Sequence, residues 1–515
     1  MKDTRDLLGK KVHFIGIGGV SMSGIAKCFA QNGILVQGSD SALSDSKYTN
    51  HFEKLGIKLF ASHEYENITR DVFLVVKTST VPDSNPEIIQ AKEFGIKVIE
   101  RFEALELIIL QFEVRIGISG SSGKTTTTAL CWEAMKFATN EIPSCIIGTV
   151  LNEVNSSVFV NNNSNICVVE ADESDGSFAD MNFTIAVITD IDTDHLDHKR
   201  YEGKREMLIA HFHKFAKNAL QNNGIVIFNA NCKTTTELMQ SFVKYKDSIF
   251  SYSGIDKVAN FENIHKVEEN SIFQNCYLKE ARNLQNAVEF SCGGLVELEN
   301  VEIPMIGKLN AFNAIPGLII SSVLFSKQQN NAFENFKGAN KRVEIVGEVE
   351  VNGKSITVID DYAHSPKKIK AFIDSFSSYC SDINAGFVII CEPHKYTRVQ
   401  SLYEEYLQCF DGCNCLLMME IFGIQGKGIQ NDISSGSLVH NIEQLWSVKK
   451  KNSFIKNLKS NKSILSEDTF GFVEEFFGQK HKMFYVFLGA GYSNKYAHLL
   501  YEQLKKQQCF QALKY

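Results

Sequence analysis

Proline is scarce in this chain, with 7 among 515 residues, and tryptophan occurs twice. So few prolines, beside 44% hydrophobic and 22% charged residues, exclude an extensively disordered protein. Positive charge is not in excess: 53 Lys and Arg against 60 Asp and Glu leave a formal charge of -7. No global basic field therefore attracts nucleic acid or an anionic membrane, and an anionic substrate must be held by local donors. Long apolar runs are missing as well. The longest, Ala314 to Phe325, contains Pro316 and two serines and falls short of the ~20 residues of a membrane span. The opening MKDTRDLLGKKVHFIGIGG sets charges on both sides of Leu7 and Leu8 before a short strand-like run. It does not read as a signal peptide, and a cytoplasmic location is expected. The 13 cysteines lack paired spacing, as in a reducing compartment where a thiol behaves as a small hydrophobe. Cys409, Cys413 and Cys415 cluster without a His or second Cys pair at ligand spacing, so no metal site is expected there.

What is present is alternation. At about 100 to 200 residues per domain the length suits three domains, and no period of 20 to 50 residues points to a solenoid. Apolar strands at Lys11 to Gly16, Ile34 to Gly38, Val72 to Val76 and Val98 to Ile99 are separated by amphipathic stretches, the pattern of βαβ units. A second series starts at Val114 to Gly120 and continues through Cys167 to Glu170, Ile185 to Thr189 and Ile225 to Phe228. Residues 231–306 read as shorter, partly antiparallel strands, and the asparagine-rich 152–165 and 328–331 as loops. A third series follows Lys337 to Arg342, with SITVIDDYA, a helix from Pro366, GFVIICEPH, CLLMM, FYVFLGAG and a final helix. The expected fold is α/β in three domains over residues 1–112, 113–335 and 336–515: a Rossmann-like domain, a P-loop-type ATPase domain and a second Rossmann-like domain.

The strongest chemical signal is GSSGKTTTT at 120–128, between a strand and a helix. Gly120 and Gly123 let backbone N–H groups of Ser121 and Ser122 close around a phosphate, Lys124 reaches terminal phosphates and Thr125 can hold Mg²⁺. Ile118 stands where the longer GxxxxGK[ST] loop has its first glycine. Two acidic strand ends follow: Glu170 in VVEADESDG, and Asp190, Asp192, Asp194, His195 and Asp197 in ITDIDTDHLDH. In a parallel sheet these ends share one edge with the phosphate loop, so they can bind Mg²⁺ beside the phosphates. GIGGVSMSG at 16–24 opens a helix after the first strand, and Asp40 ends the second strand. This imitates the dinucleotide fingerprint, with Ser21 in place of its third glycine, and supports a phosphate-bearing ligand without saying which. In the third series DDYAHSP and EPHKYTR bring Asp361, Tyr362, His364, His394, Lys395 and Arg398 to one sheet edge, a cradle for a carboxylate and an amine.

In order, GIGGVSMSGIA, NPEI, GSSGKTTTT, EADESDGSF, DIDTDHLD, GKLNAFNA, DDYAHSP and EPHKYTR resemble the motif series of the Mur ligases across essentially the whole chain. The resemblance implies an ATP-dependent ligase that joins L-alanine, or a related amino acid, to the lactyl carboxylate of UDP-N-acetylmuramate through an acyl phosphate, an early step of peptidoglycan synthesis. It implies ATP and Mg²⁺, no nucleic-acid or membrane partner, and a monomer or homodimer. By motif position Lys124, Glu170 and His195 are catalytic, and Thr125, Glu170 and His195 hold the metal. Gly120, Ser121, Ser122, Gly123, Lys124, Thr125, Thr126, Asn310, Asn313, Arg342 and Asp361 bind ATP. Gly18, Gly19, Val20, Ser21, Met22 and Asp40 bind the UDP-sugar, and Tyr362, His364, His394, Lys395 and Arg398 the amino acid. The chain departs from the family pattern at Ser121 and Ser122 (Thr and His in the family), Leu309 (His), Val343 (Phe), Ser365 (His) and Lys395 (Arg). A sister ligase taking another amino acid or a peptide, a nucleotide-binding protein without ligation, and an NAD(P) oxidoreductase built on residues 16–24 remain the alternatives.

Overall fold

The computed structural model describes residues 1–43, 52–192, 200–254, 272–327, 329–423, 433–449, 453–458, 473, 476–478 and 480–512. Three sheets follow one another along the chain. The first contains β1 (Lys11–Ile15), β2 (Leu35–Ser39), β3 (Lys58–Phe60), β4 (Val72–Lys77) and β5 (Lys97–Glu100) in the order β3-β2-β1-β4-β5, with every pair parallel. The strand order reverses at β1, so its C-terminal end opens a crevice where such sheets bind ligands. Helices α1 (Val20–Gln31), α2 (Pro86–Glu93) and α3 (Arg101–Ile109) belong to this unit.

The central sheet has ten strands: β6 (Val114–Ser119), β7 (Ser144–Leu151), β8 (Ser156–Phe159), β9 (Ile166–Glu170), β10 (Ile185–Ile188), β11 (Ile225–Asn229), β12 (Ile249–Ser253), β13 (Gln274–Asn283), β14 (Val288–Gly294) and β15 (Leu298–Ile303). From β12 through β11, β10, β6 and β9 to β7 all neighbours are parallel, and β6 lies at the switch point. Its inner strands are buried along their length, as in β10 (IAVI), because helices cover both faces and no residue alternates outward. Helix α4 (Lys124–Thr139) follows β6, α5 (Arg205–Gln221) and α6 (Lys233–Gln240) lie further on, and α7 (Leu309–Phe325) packs on α4. Gly317 permits that packing: a Cβ there would lie 3.0 Å from Cys131 Cα. Although Pro316 removes one backbone donor, α7 runs through it.

The third sheet contains β16 (Glu344–Val351), β17 (Lys354–Asp361), β18 (Gly386–Cys391), β19 (Cys415–Met418), β20 (Phe454–Asn457) and β21 (Lys482–Leu488), ordered β16-β17-β21-β18-β19-β20. Only the β16–β17 pair is antiparallel. Helix α8 (Pro366–Asp382) follows β17, and a helix over Ser493–Ala512 follows β21. Twelve cysteines are free thiols, and all of these but Cys232 are buried. No helix among the described residues is long and apolar enough to cross a membrane.

Two segments differ from their composition. Residues 156–159, inside the asparagine-rich stretch expected as loop, form β8 and pair antiparallel with β7. Burial decides the matter, since Val158 lies against α1 so closely that a Cβ on Gly24 would meet Val158 Cγ2 at 2.4 Å. Within 231–306, where short strands were expected, β13 spans ten residues, because pairing with both β12 and β14 satisfies its backbone on two sides. The segment leading into the third sheet is tied to the β7–β8 hairpin. Asn340 N–H donates to Val150 O (2.9 Å), Asn152 Nδ2 to Lys337 O (2.9 Å) and Thr149 Oγ1 to Asn340 O (2.9 Å).

Candidate active site

The turn from β6 into α4 is shaped by glycine at two positions. Gly120 has φ +146, and a Cβ there would lie 2.1 Å from Thr189 Oγ1; Gly123 has φ +81. Neither site accepts another residue without strain. The loop rests on the end of β10: Ser122 N–H donates to Asp190 Oδ1 (2.7 Å), Thr189 Oγ1 to Ser122 O (2.6 Å), and Asp192 N–H to Ser121 Oγ (2.9 Å). Lys124 opens α4 with its Nζ 2.6 Å from Glu173 Oε2, donating also to Gly120 O at 2.6 Å. Glu173 is 1% exposed. Burial works against the ammonium, but Glu173, Asp172 and Glu170 together outweigh it and raise the lysine pKa. Burial likewise pushes Glu173 up to about 7 against the pull of Lys124.

Thr125 is buried on the first turn of α4, with Thr126 half-buried beside it. The Thr125 hydroxyl donates to Glu170 Oε1 (2.9 Å), and Gly148 N–H donates to Glu170 Oε2 (2.7 Å). From the far side Arg342, just beyond the segment pinned to β7, donates to Thr125 Oγ1 at 2.9 Å. Lys124, Thr125, Glu170 and Arg342 therefore meet at one edge. His195 lies outside the described residues, as do Asp194 and Asp197. Asn313 leans over the loop, its Oδ1 3.2 Å from where a Gly123 Cβ would be. Asn310 is buried and donates to Ile306 O (2.8 Å), which directs its amide back onto the segment that leads into α7. Asp361 is also turned inward: its oxygens accept Val343 N–H (2.9 Å) and Ala363 N–H (2.8 Å). It fixes the start of the third domain, where Val343 sits at φ +49.

At the first sheet's crevice Gly16 takes φ +80, and Gly18 N–H donates to Asp40 Oδ2 (2.9 Å) across the turn. Gly19 caps α1, which starts at Val20; Met22 is buried. Ser21 accepts from Arg101 at 3.2 Å, and Arg101 lies 3.6 Å from Asp175 of the central acidic loop. Ser21 thus steadies the arginine that reaches across to the central domain, through a hydroxyl that a glycine lacks. The NPEI motif has a structural part: Asn85 caps α2, and buried Glu87 accepts Ser39 Oγ (2.6 Å) and Asn67 Nδ2 (2.8 Å) and meets His13 at 3.2 Å.

At the third edge Tyr362, His364 and His394 form a row, with ring centroids 4.8 Å and 5.4 Å apart in turn. Arg398 lies 3.3 Å from His394 Nδ1, and the Arg342 guanidinium lies over the Tyr362 ring at 5.2 Å. Burial, with Arg398 and Lys395 nearby, lowers His394 to about 4; burial lowers His364 to about 3. Both imidazoles are neutral at physiological pH. Lys395 is exposed, at φ +65. Sequence reasoning passed over Glu173, Arg101 and Phe422, which stacks on His394. Glu173 stands within EADESDG, yet four acids in that run look alike until the fold buries one.

Residues 11–113 match the catalytic domain of the Mur ligase family, and residues 118–320 match the Mur ligase middle domain. A UDP-N-acetylmuramate–L-alanine ligase of Rickettsia bellii is 33% identical over 447 residues, 86% of this chain and 88% of that protein. The chain belongs to the Mur ligase family. A second relative of that name, from Rickettsia typhi, is 34% identical over 86% of this chain and 84% of its own. Among solved structures the UDP-N-acetylmuramate-alanine ligase of Thermotoga maritima superposes with a TM-score of 0.70 at 21% identity, over 96% of this chain and 99% of that one. A murein peptide ligase from Psychrobacter arcticus gives 0.54 at 17%, over 96% and 99%. As a member of this family the protein is an ATP-dependent, amide-forming ligase with its fold.

Proposed function

We propose that the protein joins L-alanine to UDP-N-acetylmuramate at the expense of ATP. The observation that carries this reading is the meeting of Lys124, Thr125 and Glu170 with Arg342, which arrives from the third domain. Relatives a third identical over most of their length bear that activity in their names. In the first step a lactyl carboxylate oxygen attacks the γ-phosphorus and ADP leaves; in the second the alanine nitrogen attacks the acyl carbon, phosphate leaves and the amine gives up a proton.

Lys124, with Glu173 fixing its ammonium, stabilises the phosphoryl group as charge shifts, and Arg342 adds a second cation. Gly120, Ser121, Ser122, Gly123 and Thr126 complete the ATP loop with Asn313 above it, while Asn310 and Asp361 act from beneath by holding backbone. The hard oxygens of Thr125 and Glu170, 2.9 Å apart, fit Mg²⁺, which takes one or two protein ligands beside phosphates; His195 is proposed to join them. Bound there, Mg²⁺ neutralises phosphate charge. The UDP-sugar is assigned to Gly18, Gly19, Val20, Ser21, Met22 and Asp40. Alanine is assigned to Tyr362, His364, His394, Lys395 and Arg398, with Arg398 as the carboxylate's cation.

The test is phosphate release with UDP-N-acetylmuramate, ATP and Mg²⁺, with each amino acid added in turn. Release that depends on L-alanine and on the nucleotide sugar is expected. Release only with another amino acid or a peptide overturns the choice of substrate.

A further inference from the structure

Two loops beyond those with sequence motifs reach the amino-acid edge. After β19, Phe422 donates its N–H to Pro393 O (2.8 Å) and accepts Lys395 N–H (2.8 Å). The residue is thereby stitched to the EPHKYTR loop as a one-rung bridge, His394 to Phe422. Its ring lies parallel to the His394 imidazole, centroids 5.4 Å apart at 7°. After β21, Gly491 brings backbone against the same ring: a Cβ there would meet Phe422 Cδ2 at 2.3 Å. Tyr492 meets the ring edge-on at 5.1 Å and is 57% exposed.

The ring is therefore held on three sides, by an imidazole, a glycine and a tyrosine. The backbone hydrogen bonds fix where the ring starts, and the ring cannot swing aside for a larger ligand without losing its stack on His394 or opening the Gly491 contact. It stands beside His394, which also neighbours Arg398 and His364. With Arg398 assigned to the carboxylate of the amino acid, the ring stacked on His394 is the apolar surface beside that site.

We infer that Phe422 is a specificity-determining residue, a wall that limits the amino-acid side chain to about the size of a methyl group. This rests on the amino-acid site proposed above. The geometry assigns Gly491 and Tyr492 a supporting part, as the backing that keeps the wall in place.

The experiment measures kcat/KM for glycine, L-alanine, L-valine and L-leucine in the wild type, Phe422→Ala and Phe422→Leu, with melting temperatures for each. For the wild type, L-alanine should exceed L-valine by about a hundredfold or more. Phe422→Ala should narrow that ratio by about tenfold or more, mainly through a lower KM for L-valine, since a few methylenes in an apolar pocket carry such factors. KM for ATP and UDP-N-acetylmuramate should stay within about twofold, a separation that general loosening of the fold would not give. Phe422→Leu, which keeps apolar volume without the flat ring, should fall between and serves if the alanine variant does not fold. An unchanged alanine-to-valine ratio in a folded, active variant overturns the inference. If the wild type prefers a different amino acid, the substrate proposal fails on its own, and the wall is judged by whether the variants widen that other preference. No widening overturns it.

Discussion

The edges of the central and third sheets handle charge in opposite ways. At the central edge the described catalytic candidates find partners: Lys124, its pKa raised by the acids around it, against Glu173, and Glu170 under Thr125 and the Gly148 N–H. At the third edge burial drives groups toward neutrality. His364 and His394 are held far below the ordinary imidazole range, and Asp360, at 0% exposure with Asn494 donating to one oxygen at 2.8 Å, is pushed up to about 7. The difference follows from the work assigned to each. Phosphoryl transfer needs fixed charge near a polyanion, whereas a small zwitterion needs one cation and an otherwise neutral, shaped surface.

Removing the charge at the central edge should have the largest effect. Lys124→Ala should lower kcat by about two orders of magnitude or more, ~3 kcal/mol for a lost charge-stabilising donor, with KM for L-alanine little changed. The fold should survive, because Glu173, already raised to about 7 by burial, can take a proton when its partner is gone. A variant with near-normal alanine-dependent phosphate release would end the comparison.

The central edge was the more legible of the two for the same reason. A lysine between glycine and threonine at a strand-to-helix turn is rare enough to be read alone, and Thr125, Glu170 and Arg342 meet it as motif order implied. Three things stayed hidden. Asn310 and Asp361 sit in motifs, but only packing shows that their polar atoms are spent on backbone. Phe422 carries no signal, since one aromatic after a strand is usually core. The pairing of residues 337–340 with β7 joins positions about 190 apart in sequence, beyond the reach of local pattern. Strand β8 was misread because asparagine-rich composition reports local preference, and the contact of Val158 with Gly24 overrides it.

Neutrality at the third edge can be broken by pH. Burial raises the Asp360 pKa from its ordinary value of 3.8 to about 7, so the folded state binds its proton more tightly. The stability this gives is fully present below pH ~4 and is lost as pH rises through about 7. Asp360→Asn cannot ionise and still accepts from Asn494. Its melting temperature should match wild type near pH 4.5 and exceed it at pH 8, with a ceiling of about 4 kcal/mol for a shift of that size. Thermal melts across pH 4.5 to 8 check it, and parallel curves would show that Asp360 is not held neutral.

The smallest effect should come from Lys395, an exposed charge at the third edge. Its ammonium is exposed, and exposed ion pairs are worth little, so Lys395→Ala should raise the KM for L-alanine by less than about fivefold. Arg398→Ala, which removes the cation seated against His394 at 3.3 Å, should raise it by about tenfold or more. What Lys395 does hold is an unfavourable backbone, with φ +65 and ψ 122, a region where residues other than glycine pay of order 1–3 kcal/mol. Lys395→Gly should therefore melt at or above the wild-type temperature, while Lys395→Ala keeps the strain and does not. Both variants keep the N–H that donates to Phe422 O, so the wall beside His394 should stay in place. Equal KM values in the two variants, with a higher melting temperature only for glycine, would separate strain from charge. A KM raised tenfold in both would instead make Lys395 a direct partner of the substrate carboxylate, and the third edge would then hold two working cations.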